Sequence, residues 1–389
     1  MSRTQKKTLL GITLVLIALV LLAISRYDWN VSALLHVSRD FGQTYDAPEG
    51  TVLYEDGGYD GMLYYQIARD IPEILFGNTQ TSQRDVSTAP LYGNVYRAQR
   101  ILLPLFAFTL SFGKDVLLPY ALLLINIASV IGALALAFAY QRKVSIGALA
   151  IALNPAALVG ILFSLTEPLS LFFITLFLFL WKRAGERITF WSAVTLALAM
   201  LARETTVFLI LPLAVFSLLK KEWKNTFFCL LSLIPFALWT LFLVDRFGAL
   251  PLETSAGMLN IPFSGPLDLL QRSLAENITA YRLSSLSFLV LFFLPLALIE
   301  VYRWWKGREG GMLGSLLLVL IVAMLCLDAH IWGVITSIGR AVTPLYPVFA
   351  FKAMEEGGRM ERTLSGSLIL VSIVAAVGIA LVTHPFTLA

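Results

Sequence analysis

Uninterrupted apolar runs of about 20 residues recur from one end of the chain to the other, each the length of helix that crosses a hydrocarbon core of ~30 Å. No other feature limits the fold as strongly. Inside a bilayer every backbone N–H and C=O must be satisfied internally, so only helices and closed barrels can cross. The runs are continuous rather than alternating, which selects helices. Composition agrees. Of 389 residues, 58% are hydrophobic and 14% charged, and mean hydropathy is +0.79. Soluble domains carry roughly 25% charged residues. The expected fold is an all-α polytopic transmembrane bundle.

Spans are expected at 8–25, 116–140, 144–163, 166–182, 188–203, 205–219, 226–245, 285–303, 312–331, 341–353 and 364–384, about eleven in all. The first follows a short basic leader, Arg3-Thr4-Gln5-Lys6-Lys7, and is longer than the h-region of a signal peptide; an uncleaved span is expected. The apolar segment Ile101–Phe112 is too short to cross unaided, and is expected to re-enter or lie on the surface. With that choice, 17 of the 29 Lys and Arg fall in short inner segments, as the positive-inside tendency requires. The N-terminus is then cytoplasmic. Two long outer segments remain, 26–115 and 246–284, in a single membrane domain covering 1–389.

The net charge of +4 follows topology and does not suggest nucleic-acid binding. Cys229 and Cys326 both lie in apolar runs, so no disulfide framework is expected. Three scattered histidines make a His/Cys metal site improbable, and no metal or other cofactor is expected.

The first outer segment contains Tyr54-Glu55-Asp56-Gly57-Gly58-Tyr59-Asp60-Gly61, a concentration of carboxylates in a chain with few. The glycines favour a turn. Asp60 then opens a short helix, Gly61–Ile71, whose Leu63, Ile67 and Ile71 repeat at four-residue spacing beside Tyr64 and Tyr65, a pattern suited to the interface. Asp60 can act as an N-cap, as a general base, or as both. Glu55 and Asp56 read as solvated loop charge, with Asp56 and Tyr64 kept as candidates to orient a substrate.

Further candidates lie at outer helix ends. Arg97 and Arg100 are three apart, on one face if helical, and suit a phosphate or headgroup snorkelling. Asn154-Pro155 interrupts a span. Thr166-Glu167-Pro168 fits a helix start, where Thr166 or Glu167 would cap. Arg203 and Glu204 could neutralise each other locally or serve a site. Arg340 is a phosphate candidate or an interfacial anchor, and His330 reads as an ordinary surface histidine. A charge between apolar spans is costly, so each is a functional hypothesis by default.

A carboxylate at the interface can take a proton from a hydroxyl, and arginine can stabilise an anionic phosphate leaving group without titrating. The chain has no P-loop, no Gly-rich nucleotide motif and no sizeable soluble domain. A donor delivered through the membrane is therefore expected over a nucleotide or ATP.

The motif Tyr59-Asp60-Gly61-x-x-Tyr64-x-x-Ile67-Ala68 resembles the Trp-Asp-Gly-x-x-Tyr-x-x-Ile-Ala segment after the first helix of the GPI-anchor second-mannose transferase family (PIG-V type). Arg100-Ile-Leu-Leu-Pro104, Asn154-Pro155 followed by Ser164-x-x-Glu167, and Ala202-Arg203-Glu204 resemble later landmarks of that family and its bacterial relatives, members of the GT-C class of polytopic glycosyltransferases. The resemblance covers roughly 54–215. It departs where Tyr59 replaces tryptophan, at Thr166, and at Arg203-Glu204. It implies a polyprenyl-phosphate-linked sugar donor, inversion at the anomeric carbon, and a base in the first outer loop at the position of Asp60.

The expected activity is transfer of a sugar to a hydroxyl of a lipid, glycan or protein at the outer face of a bacterial cytoplasmic membrane. Asp60 would be the base, Arg97, Arg100, Arg203 and Arg340 the phosphate contacts, and Asp56, Tyr64, Glu167 and Glu204 the orienting groups. The rival is a transporter or flippase for a lipid-linked glycan, which would place charges at the midplane within broken helices related by a repeat. A scaffold subunit is a third reading, for which Asp60 would be dispensable.

Overall fold

A computed structural model describes residues 1–55, 57–77, 95–248, 250–251, 258–276, 279–307 and 311–381. The chain folds into packed helices, with one two-stranded parallel pair, β1 (Val37–Ser38) against β2 (Leu53–Tyr54). Among the described residues five helical stretches are long and apolar enough to cross a membrane: α1 (Arg3–Ile24), Asp115–Gln141 with α7 (Leu118–Gln141), α13 (Trp223–Phe247), Ala280–Trp305, and α21 (Arg359–Leu381). Ala280–Trp305 joins α15 (Ala280–Phe288) and α16 (Leu294–Trp305) through one wide turn at Leu289–Phe293.

Shorter apolar helices fill the rest: α8 (Ile146–Ala152), α9 (Pro155–Leu162), α10 (Glu167–Arg183), α11 (Phe190–Ala202), α12 (Val207–Leu219), α17 (Gly311–Leu325) and α20 (Leu345–Glu356). α7, α10 and α11 pack side by side and carry the densest core, including Phe138, Ile174, Phe177, Trp181 and Leu196. The break between α8 and α9 falls where Asn154-Pro155 predicts it. Asn154 caps α9 by accepting from the Ala157 N–H at 3.0 Å, and Pro155 occupies the first helical turn, where no N–H is missed.

The helix ends sort into two sets. At one end the N-terminus of α1 joins the C-terminus of α7 (Gln5 to Phe138 O, 2.8 Å), and Glu355 of α20 takes Tyr140 and Lys182. At the other end lie the described parts of the 26–115 segment: β1 and β2, α2 (Arg39–Thr44), α3 (Asp60–Arg69), α4 (Ile71–Phe76), α5 (Val95–Ala98) and α6 (Leu102–Leu110). α6 packs on α7 and α3; at about 1.5 Å per residue its nine residues cannot cross a hydrocarbon core.

Two expectations for α3 need correction. It is not a surface helix, because Tyr64, Tyr65, Ile67 and Ala68 are buried in the main core. Nor does Asp60 cap it: the cap position is Tyr59, with no side-chain cap bond, and Asp60 is the first helical residue. What holds α3 in place is a close backbone approach at Gly61, where a Cβ would lie 2.2 Å from the Phe163 carbonyl and 2.9 Å from that of Leu35.

The second outer segment carries α14 (Ser264–Ala275), seated through Gly265 on Trp332 of α18 (Ala329–Trp332). The stretch before it is stitched to the end of α17, with Asn260 N–H on Cys326 O at 2.7 Å and Asp328 N–H on Met258 O at 3.0 Å.

Candidate functional site

The expected site residues come from distant parts of the chain and meet in one bonded network at the end of the bundle that bears 26–115. Asp60, at the start of α3, accepts from Arg97 of α5 (2.9 and 3.2 Å) and from Arg340 of α19 (Ile335–Ala341; 2.8 Å). Arg340 also donates to Glu167 Oε1 at 2.8 Å, and the same oxygen takes Arg203. Arg340 lies over the Tyr59 ring at 5.0 Å, and its Nε reaches Tyr59 Oη and the Thr336 carbonyl. One carboxylate–arginine chain thus runs Arg97–Asp60–Arg340–Glu167–Arg203.

A second part adjoins it. Arg100 grips Glu204 with two parallel bonds, Nε to Oε2 at 2.7 Å and Nη2 to Oε1 at 2.5 Å, the geometry a guanidinium favours. Its remaining nitrogen, Nη1, donates to the Tyr64 hydroxyl at 2.7 Å, Nη2 also donates to the Tyr96 hydroxyl at 2.7 Å, and Tyr96 donates to Glu204 at 2.7 Å. Tyr96 joins the two parts, since the guanidiniums of Arg97 and Arg100 each lie 4.8 Å from its ring centre.

These contacts settle several alternatives. Arg203 and Glu204 do not neutralise each other; each has a partner from another helix. Glu167 and Thr166 make no cap bond at the start of α10. Arg97 and Arg100 share the Tyr96 ring but turn to different carboxylates, because α5 ends at Ala98 and Arg100 lies beyond it. Trp239 of α13 takes the Ala98 carbonyl at 2.9 Å and so fixes that end. Glu55 pairs with Arg39 on the surface, as loop charge. Asp56 lies outside the described residues. His330 is exposed and bonds Asp328, away from the network. Tyr96 was passed over as a site residue, although its position directly before Arg97 was a usable signal.

Burial of the network is uneven. The Glu167 side chain is 0% exposed, whereas Arg97 keeps 26% of its side chain open, the largest share among these arginines. Burial alone would raise the Asp60 carboxyl, but Arg97 and Arg340, with Arg100 behind them, outweigh it and hold the group well below the usual carboxylate range. Burial pushes the Tyr96 phenol up to about 12, with Arg100 opposing.

Four guanidiniums face three carboxylates, which leaves one positive charge in excess. Beneath them, Glu167 Oε2, Arg203 Nε and the hydroxyls of Ser164, Thr166 and Thr336 are buried without a hydrogen-bond partner among the described residues. Leaving such groups unpaired costs roughly 1–3 kcal/mol each, so a polar guest is favoured there. Ser164 also holds a left-handed backbone, φ 52°, a strain that tends to collect at functional sites. Among the described residues no three His, Cys, Asp or Glu side chains group as a metal set.

The arrangement can attract one anion at its Arg97–Asp60–Arg340 edge, and it holds a carboxylate rigidly beside it. No protein-family model, curated protein or solved structure matches this chain.

Proposed function

We propose that the chain is an integral-membrane glycosyltransferase of GT-C type with about eleven spans. It would move a sugar, with inversion, from a polyprenyl-phosphate donor to a hydroxyl of a lipid, glycan or protein at the outer membrane face. One observation carries this reading: seven charged side chains from five separate stretches of the chain converge at one end of an apolar bundle, with one positive charge in excess. A structural role alone explains this poorly, because buried ion pairs contribute little net stability relative to apolar packing.

The geometry divides the roles. Arg100 and Arg203 are the innermost cations, locked on Glu204 and Glu167, and act as supports. Arg97 and Arg340 flank Asp60 and are the phosphate contacts. Arriving phosphate competes with Asp60 for those two guanidiniums. As they turn to the donor, the Asp60 carboxyl loses its depressing partners and becomes a stronger base toward the acceptor hydroxyl. Donor binding then switches on the base, which discourages proton abstraction before the sugar is in place. Glu167 and Glu204 orient the arginines, and Tyr64 and Tyr96 hold Arg100.

The test supplies purified protein with a polyprenyl-phospho-sugar and an acceptor and measures free polyprenyl phosphate. Release is expected, and Asp60→Asn should abolish it while the protein stays folded. Near-normal turnover in that variant rejects Asp60 as base.

The rival reading, a flippase for a lipid-linked glycan, is favoured by the helix break at Leu153-Asn154 and by Asn126, fully buried on α7 and bonded to the Gly160 carbonyl at 3.2 Å. Movement of the glycolipid across vesicles with no covalent product would select it.

A further inference from the structure

A groove of about 470 Å³ lies between α12, α16 and α17, lined by Phe216, Trp304, Ser315, Leu318, Val319 and Val322. Its size is that of a ligand pocket, roughly 300–1,000 Å³. It lies along three apolar helices. From Ser315 to Val322 it follows α17 for about 10 Å, at about 1.5 Å of rise per residue. Such a space accepts an alkyl chain and not a water-soluble guest.

What tops the groove identifies the head of that chain. Phe216 lies one turn before Lys220, so the two share a face of α12, and Lys221 follows at the turn. On the other wall Lys306 closes α16 two residues after Trp304, its ammonium 4.5 Å from the Trp305 ring centre. Lys220, Lys221 and Lys306 have no carboxylate partner among the described residues. Nearby cations are engaged instead: Arg303 with Glu300, Glu356 and Glu361, and Lys352 with Glu300. Glu222 is turned to Asn225 at 2.7 Å. Trp304 and Trp305 are exposed beside the groove, as in the aromatic belt at a membrane–water interface.

We propose that this groove binds one anionic phospholipid from the leaflet at the lysine end, an acyl chain lying along Leu318–Val322 and the headgroup phosphate held by Lys220, Lys221 and Lys306. The site is at the opposite end of the bundle from the Asp60 network, so it does not depend on the glycosyltransferase reading. α12 links the two, with Glu204 just before its first turn and Lys220 just after its last.

The experiment uses the full-length protein, delipidated and titrated with phosphatidylglycerol or phosphatidylcholine of identical chains, and reads retained lipid by native mass spectrometry. Quenching of tryptophan fluorescence by the same lipids with brominated chains gives an independent reading. A several-fold preference for phosphatidylglycerol is expected. Each of Lys220→Gln, Lys221→Gln and Lys306→Gln should reduce it up to about fivefold, the equivalent of about 1 kcal/mol per lysine near a membrane. Val319→Trp, which fills the groove, should abolish retention of both lipids without lowering the unfolding temperature. Equal retention of the two headgroups by the wild type overturns the proposal. So does a preference that survives the triple lysine variant, or retention of a prenyl phosphate in place of either phospholipid.

Discussion

Asp60 stands between two guanidiniums, and their difference in exposure allows their roles to be separated by substitution. Arg97 is the more open and, among the described residues, has Asp60 as its only carboxylate. Arg97→Gln should raise the KM for donor at least tenfold and leave the unfolding temperature nearly unchanged. Arg203 is buried against Glu167, and removing it leaves that carboxylate, which has no access to water, to Arg340 alone. Arg203→Gln should therefore destabilise the fold by about 3–5 kcal/mol, read as loss of a cooperative thermal transition in detergent. Equal effects of the two on stability would contradict the division into contact and support. The pH dependence follows from Asp60. Its carboxyl is held down, so it stays ionised while ordinary aspartates protonate near ~3.9. The kcat/KM profile of the free enzyme should show no acidic limb in that range, and a limb there would contradict the geometry. Sequence reasoning found these residues because charge among apolar helices is costly and conspicuous. It did not find the pairings, since Arg100 meets Glu204 and Arg340 meets Asp60 across 104 and 280 positions. It also overvalued local capping, which neither Asp60 nor Glu167 performs.

At the scale of elements, the network depends on how closely α3 lies against the turn between α9 and α10. Gly61 permits that approach, and it is why a small residue follows Asp60. Gly61→Ala puts a methyl carbon 2.2 Å from the Phe163 oxygen, and backbone cannot yield as a side chain would. The start of α3 must move, taking Asp60 from Arg340. Turnover should fall at least a hundredfold, and the thermal midpoint should drop. Gly378→Ala is the control. It lies in α21 with open space around it and should be neutral or slightly stabilising. A Gly61→Ala protein with normal turnover would show that the spacing of α3 is not critical. The helices were legible from apolar run length, and the α8–α9 break from Asn154-Pro155. The parallel pair β1–β2 was not, because two residues per strand carry no periodic signal. α3 was misplaced at the surface because four-residue spacing describes a buried helix equally well once another layer covers it.

For the whole molecule, the two ends differ in how their charges are used. One end gathers the Asp60 network under the stitched outer segments; the other holds salt-bridged helix termini, including Lys352–Glu300 and Lys182–Glu355, among lysines without a carboxylate partner among the described residues. If the bundle crosses the membrane as proposed, these ends face different compartments, and labelling can test that. Phe112, between α6 and α7, is 85% exposed at the network end. His330 is also exposed there, on the stitched segment. Lys221 is exposed at the lysine end. Between Phe112 and Lys221 the chain runs end to end through α7, the α8–α9 pair, α10, α11 and α12, an odd number of passes. Cys229 is fully buried, whereas Cys326 lies in the turn after α17 and is half-buried, so single cysteines introduced at the three positions in a Cys326→Ser background can be read separately in intact cells. A membrane-impermeant maleimide should label Phe112→Cys and His330→Cys from the outside, and Lys221→Cys only after the membrane is opened. Labelling of Lys221→Cys in intact cells would mean that one of those passes does not cross, and the short α8–α9 pair, broken at its middle, would be the first to re-examine.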